Sequence, residues 1–162
     1  MSRVAFLIER NVFYKYLGSA IEAALERGWE VECWHDSARP QSGQKGYQFP
    51  SLSCVPRFHA GRPVVTAVAG SADLRQRLLR RTVDIVVSMN APTMFFPALP
   101  PPGAIPPWLG VQHAGDFFQN NGPEGVLSCD AVAVYSDWWV PWAAAYLQDT
   151  GVRRPGDQFE QR

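Results

Sequence analysis

Residues 83–90 read VDIVVSMN, an apolar run rich in Val and Ile that stops abruptly on a polar tip. Four other stretches repeat the phrase: RVAFLIERN at 3–11, WEVECWHD at 29–36, WLGVQHAGD at 108–116 and DAVAVYSD at 130–137. Runs that are apolar on both faces and separated by helix-like segments are what a parallel sheet covered by helices requires. The expected fold is therefore α/β: a three-layer domain with a mostly parallel sheet and helices on both faces. Such sheets bind ligands just beyond the carboxyl ends of their strands. The polar tips, where the chemistry is expected, contribute Glu9, Arg10, Asn11, His35, Asp36, Ser88, Asn90, Gln112, His113, Asp116, Ser136 and Asp137.

The segments between the strands read as follows. Asn11 is expected to cap a helix whose apolar positions Phe13, Leu17, Ile21, Ala24 and Leu25 fall near a 3.6-residue period, with Arg27 and Gly28 closing it. Residues 37–53 are rich in Ser, Gly, Gln and Pro without periodicity and read as a loop. A short strand is expected within Val64–Val68, and then a helix capped by Ser71, with Asp73 in its first turn and Arg80 and Arg81 in its last. PTMFFPALPPPGAIPPW, residues 92–108, cannot sustain a helix and reads as a strap over the sheet edge. Residues 115–127 read as a loop or short helix, and a last helix runs from about Val140 to Gln148 with Pro141 near its start. Residues 1–150 are read as one domain and 151–162 as a polar tail or the start of an interdomain linker.

Charge narrows the partners. Lys plus Arg and Asp plus Glu number 15 each, so no global field favours nucleic acid, and a small molecule or another protein is the expected partner. The three cysteines are odd in number, and Cys33 and Cys129 sit in or beside strands, which points to buried thiols in a reducing compartment. No run approaches the roughly 18 apolar residues that span a bilayer, and MSRVAF enters a strand at once, so a cytoplasmic location is expected.

Three familiar chemistries lack their residues. The first strand ends in ERNVFY, with neither a GxGxxG nor a GxxxxGK[ST] loop, so a self-sufficient nucleotide-binding enzyme loses its main support. Cys54 and His59 form a Cys-x4-His pair without the second pair a zinc finger needs, and no metal is expected. His113 is the best single catalytic candidate, because it follows a buried strand, precedes the small pair Ala114–Gly115 and has Asp116 nearby in sequence. A histidine titrates near neutrality and can take a proton from a hydroxyl nucleophile, and a carboxylate beside it raises its basicity. The plainer alternative is a histidine that only ties loop backbone at the sheet edge.

The series VDIVVSMN, LGVQHAGDFF, CDAVAVYSDWWVPWAAAYL resembles the amino-terminal domain of GT-B glycosyltransferases, especially bacterial members allied to polyol-phosphate and cell-surface sugar transferases. The likeness covers most of residues 3–150 and rests on the order of three short motifs; Ala114 stands where the family often has Gly. It implies a Rossmann-like domain that presents the acceptor, a small molecule or glycan. The nucleotide-activated sugar donor, and any cofactor, would belong to a carboxyl-terminal domain, so that this chain is half of a longer enzyme and inactive alone. His113 would then be the base or a donor-phosphate contact, with Asp116 beside it; Glu9, Arg10 and Asn11 would line the acceptor side, with Asn90 and Gln112, and Ser136 would face the cleft. The plain alternatives are strand-end solvation for Glu9 and Arg10 and helix capping for Asn11 and Ser136. Half of a sugar-nucleotide epimerase, or a non-catalytic Rossmann-like module that binds a protein or small ligand, are the competing classes.

Three surface features complete the reading. Trp138, Trp142 and Tyr146 share one helical face, which reads as core, as the seam for a second domain or as a sugar platform. Arg75, Arg77, Arg80 and Arg81 read as a solvated helix face, with contact to anionic lipid as the alternative. Phe95, Phe96, Phe117 and Phe118 lie just past strand tips and are expected to be exposed, driving self-association into a homodimer.

Overall fold

A computed structural model describes residues 1–37, 55–112, 116–134, 136–137 and 139–149. The expected loop at 37–53, apart from Ser37, and the tail at 151–162 lie outside the described residues. Six strands, β1 (Arg3–Ile8), β2 (Glu30–Asp36), β3 (Val64–Val68), β4 (Ile85–Ser88), β5 (Trp108–Val111) and β6 (Ala131–Ala133), form one sheet in the order β3-β2-β1-β4-β5-β6. Every pairing is parallel. The domain is an α/β, Rossmann-like three-layer fold, as the apolar runs require.

Strand alternation sends one side chain to each face in turn. Val4, Phe6 and Ile8 of β1 meet Phe13, Leu17 and Ile21 of α1 (Phe13–Glu26) on one face. Ala5 and Leu7 point the other way, into a cluster with Leu74 and Leu78 of α2 (Gly70–Arg80) and Phe118 and Val126 of α3 (Asp116–Leu127). Trp139, Ala143 and Tyr146 of α4 (Trp139–Asp149) pack against that second cluster.

Helix ends explain where each element stops. At the end of α1 the Trp29 N–H bonds the Ala24 carbonyl and the Gly28 N–H bonds that of Leu25, with Gly28 at φ +69°. This pair of bonds is a Schellman closure, and its left-handed residue is the reason for glycine there. The start of α1 departs from expectation: Val12 holds the cap position without a side-chain cap bond, and Asn11 lies one residue earlier, its carbonyl accepting from Tyr14 N–H. Ser71 likewise does not cap α2. Asp73 reaches back to the Ala69 N–H at 3.0 Å and takes the Arg77 guanidinium at 3.1 Å, because a carboxylate one turn in can satisfy an orphan donor and a cation together. The Ala69 N–H, with Arg77 and Arg80, holds the Asp73 carboxyl below its ordinary pKa.

The proline segment is not an edge strap. After a single 3-10 turn at Pro92–Met94 it carries Phe95 and Phe96 into the α2-side core, Phe95 lying 5.7 Å from the Trp108 ring. It takes the place a crossover helix would fill between β4 and β5, and arginines hold it there: Arg75 donates to the Phe95 carbonyl and Arg81 to that of Gly103. With Phe95, Phe96 and Phe118 buried, the expected self-association edge loses its basis; the Phe117 side chain lies outside the described residues. In α3, Gly122 breaks the helical path at φ 63°, ψ 173° and lets Pro123 begin a second helical segment. Pro141 falls in the first turn of α4, where its missing N–H costs nothing. Among the described residues no helix is long and apolar enough to cross a membrane.

Candidate functional site at the carboxyl edge

Four adjacent strands end on buried polar residues: His35 at the tip of β2, Glu9 just past β1, Ser88 at the tip of β4 and Gln112 just past β5. A polar group withdrawn from water is costly unless hydrogen-bonded, so a row of four on one sheet edge needs a network. Asn90 is its hub. Its side-chain amide donates to the Glu9 carboxylate, its N–H donates to Ser88 Oγ at 3.0 Å, and its carbonyl accepts from the Trp108 indole at 3.0 Å. The next N–H, of Ala91, donates to Asn121 Oδ1 of α3 at 2.7 Å. Gln112 stays in register through its N–H to the Ala133 carbonyl.

Glu9 and Asn90 stand just past β1 and β4, the two strands from which the chain winds in opposite directions across the sheet. This is the topological switch point, where loops diverge and open α/β sheets hold their ligands. On the α2 side Glu9 lines a narrow crevice of about 10 Å³, room for about one water, together with Trp34, Asp36, Ser71 and Phe95. Trp34 is held by its indole N–H to Glu32 at 2.7 Å. Gly70, at φ +83°, turns the chain from β3 into α2 at the rim, a conformation that favours glycine. Two carboxylates and a serine at its rim are hydrogen-bonding groups suited to a hydroxyl that approaches this edge.

The opposite face of the same edge carries a second set. Tyr14 Oη and His35 Nε2 are 2.6 Å apart, with the rings edge to face. Beneath them burial pushes the Cys33 thiol up to about 12, a hydrogen bond with Tyr14 pulling the other way. A thiol so placed is protonated and inert at neutral pH.

Of the residues singled out in the sequence, Glu9, Asn90 and Gln112 come together on adjacent strand ends, with His35, Asp36 and Ser88 of the same polar tips beside them. Arg10 and Asn11 follow in the turn before α1, where the Arg10 carbonyl accepts from Phe13 N–H. Ser136 stands beyond β6 at the sheet's far edge, its carbonyl accepting from Trp139 N–H. His113 lies outside the described residues, and Asp116 opens α3 with its side chain outside them. Sequence reading missed Tyr14, whose signal was its place beside Phe13 on the apolar face of α1, and Trp34, which lies mid-strand in an apolar run. Among the described residues no group of three or more His, Cys, Asp or Glu is placed to hold a metal ion. No protein-family model matches the chain, and neither a curated protein nor a solved structure matches it significantly.

Proposed function

We propose that the carboxyl edge is the acceptor-binding surface of a GT-B-type glycosyltransferase, with Glu9 as the group that receives the acceptor hydroxyl. The observation that supports this most is the Glu9 carboxylate, buried at the switch point, fixed by Asn90 and lining the crevice beside Asp36. A carboxylate oriented by a donated amide hydrogen bond accepts a hydrogen bond from a substrate hydroxyl and holds that oxygen in one direction. In transfer, that oxygen forms a bond to the anomeric carbon of the sugar while the bond from that carbon to the nucleotide phosphate breaks. The proton leaves the acceptor for a base, for which Glu9 at this edge and His113, the residue after Gln112 in the sequence, are the two candidates. The absence of a glycine-rich phosphate loop after β1 agrees with a donor held by a facing domain.

The test is a binding and turnover comparison on the purified chain, with and without a supplied donor domain. Expected are saturation-transfer NMR signals from polyol phosphates or oligosaccharides, no hydrolysis of nucleotide sugars by the chain alone, and at least tenfold weaker acceptor binding in Glu9→Gln. Nucleotide-sugar turnover by the chain itself, or acceptor binding indifferent to Glu9→Gln, would overturn the reading.

A further inference from the structure

At the amino end of the sheet, away from the polar strand tips, residues 55–63 lead into the edge strand β3 and border a cavity of about 590 Å³, the size of a small-molecule site. Its described lining is of two kinds. Val55, Phe58 and Val65 are apolar and pack on the α1-side core. Arg57 and Arg62 are cationic, and no carboxylate stands among the described residues that line the cavity. The turn between the two arginines is clamped, because Glu22 of α1 accepts the His59 N–H at 3.1 Å and the Ala60 N–H at 2.7 Å. Elsewhere arginines are engaged: Arg3 by Glu30, Arg77 by Asp73, and Arg75 and Arg81 by the carbonyls of Phe95 and Gly103. Arg57 and Arg62 make no hydrogen bond or ion pair among the described residues.

We propose that this cavity binds a small organic phosphate monoester with a planar, apolar body. Charge is the first part of the argument. Two guanidinium groups on one cavity, in a chain whose net charge is zero, make a local excess of positive charge. Each guanidinium fork takes two anionic oxygens at once. A phosphate monoester carries nearly two negative charges on three acceptor oxygens and can engage both forks, whereas a single carboxylate is filled by one. Size and lining are the second part. An inorganic phosphate would leave most of about 590 Å³, and the surface of Val55, Phe58 and Val65, without a partner. An aromatic or other planar body fills that space and meets the Phe58 ring. The site is separate from the acceptor edge, because β3, five residues and roughly 16 Å long at about 3.3 Å per residue, runs from this cavity to the tip beside Asp36.

Titration calorimetry and NMR chemical-shift mapping on the whole chain, with phenyl phosphate, inorganic phosphate, benzoate and benzyl alcohol as probes, test this. Expected is one saturable site for phenyl phosphate, at least tenfold tighter than for any of the other three, with shifts centred on residues 55–65. At constant ionic strength Arg57→Gln and Arg62→Gln should each weaken phenyl phosphate at least tenfold. Phe58→Leu should weaken it at least threefold and leave inorganic phosphate unchanged. Arg80→Gln, at an exposed arginine away from the cavity, and Glu9→Gln should have no effect, so this site and the acceptor edge stand or fall separately. Vesicles of phosphatidic acid in phosphatidylcholine distinguish a lipid headgroup from a free phosphate, and the chain should not sediment with them. The proposal is overturned if phenyl phosphate does not bind or binds no tighter than inorganic phosphate, or if any of the three cavity variants binds as the wild type does. It is equally overturned if Arg80→Gln weakens binding as much as the cavity arginines do, or if the chain sediments with the vesicles.

Discussion

Removing the amide of Asn90 isolates the bond on which the candidate site depends. Asn90→Ala leaves intact the backbone bonds to Ser88 and Trp108 and deletes only the donor to Glu9. Glu9 is 3% exposed, so water does not simply replace that donor. A hydrogen bond to a charged group contributes about 1.5–3 kcal/mol, against about 0.5–1.5 kcal/mol for a neutral pair. Asn90→Ala should therefore cost about 2 kcal/mol in the wild-type background and about 1 kcal/mol beside Glu9→Gln, a coupling of about 1 kcal/mol. For a domain of this size about 2 kcal/mol lowers Tm by roughly 4–8 °C. The assay is a double-mutant cycle by urea unfolding, with circular dichroism confirming the fold. Single costs that add to within about 0.3 kcal/mol would show that the two side chains act independently, and the Asn90-oriented carboxylate would fall with them.

Three further outcomes follow from burial and charge. Phe118→Ala should lose about 3–5 kcal/mol, as truncation of a buried aromatic does; a loss below about 1 kcal/mol, or a dimer that dissociates without destabilisation, would return Phe118 to the surface. Cys33 titrates higher folded than unfolded, so the unfolded chain binds fewer protons above the ordinary thiol value of 9.0, and stability falls from there as pH rises toward about 12. Comparing wild type with Cys33→Ala should reveal that slope only in wild type, and a disulfide reagent at pH 8 should modify Cys33 only as fast as the protein unfolds. Asp73 shows the opposite sign: its folded pKa lies below the ordinary 3.8, so its contribution is present above that value and is lost as pH falls through the folded one. Asp73→Asn should be less stable than wild type at pH 6, with the difference shrinking as pH falls below the ordinary carboxyl value of 3.8; parallel acid-unfolding curves would remove Asp73 from the start of α2.

What the chain alone determined is the part that repeats. Val-, Ile- and Phe-rich runs ending on polar tips specify strands buried on both faces, and the 3.6-residue period from Phe13 to Ala24 specifies one amphipathic helix, because each pattern is local and periodic. Gly28 closes α1 for an equally local reason, the left-handed turn. Phe95 and Phe96 were misread because their segment has no period: prolines exclude a helix, and only packing beneath α2 and against Trp108 shows which side chains turn inward. Asn11 and Ser71 were misread because several polar residues near a helix start compete for the same orphan N–H groups, and the winner is set by a residue or two of backbone path. The strand order lies beyond the sequence altogether. It alone brings Asn90 to Glu9 from 81 residues away and makes their junction the switch point, since a contact between strand tips depends on which strands are neighbours and no single strand encodes its neighbour.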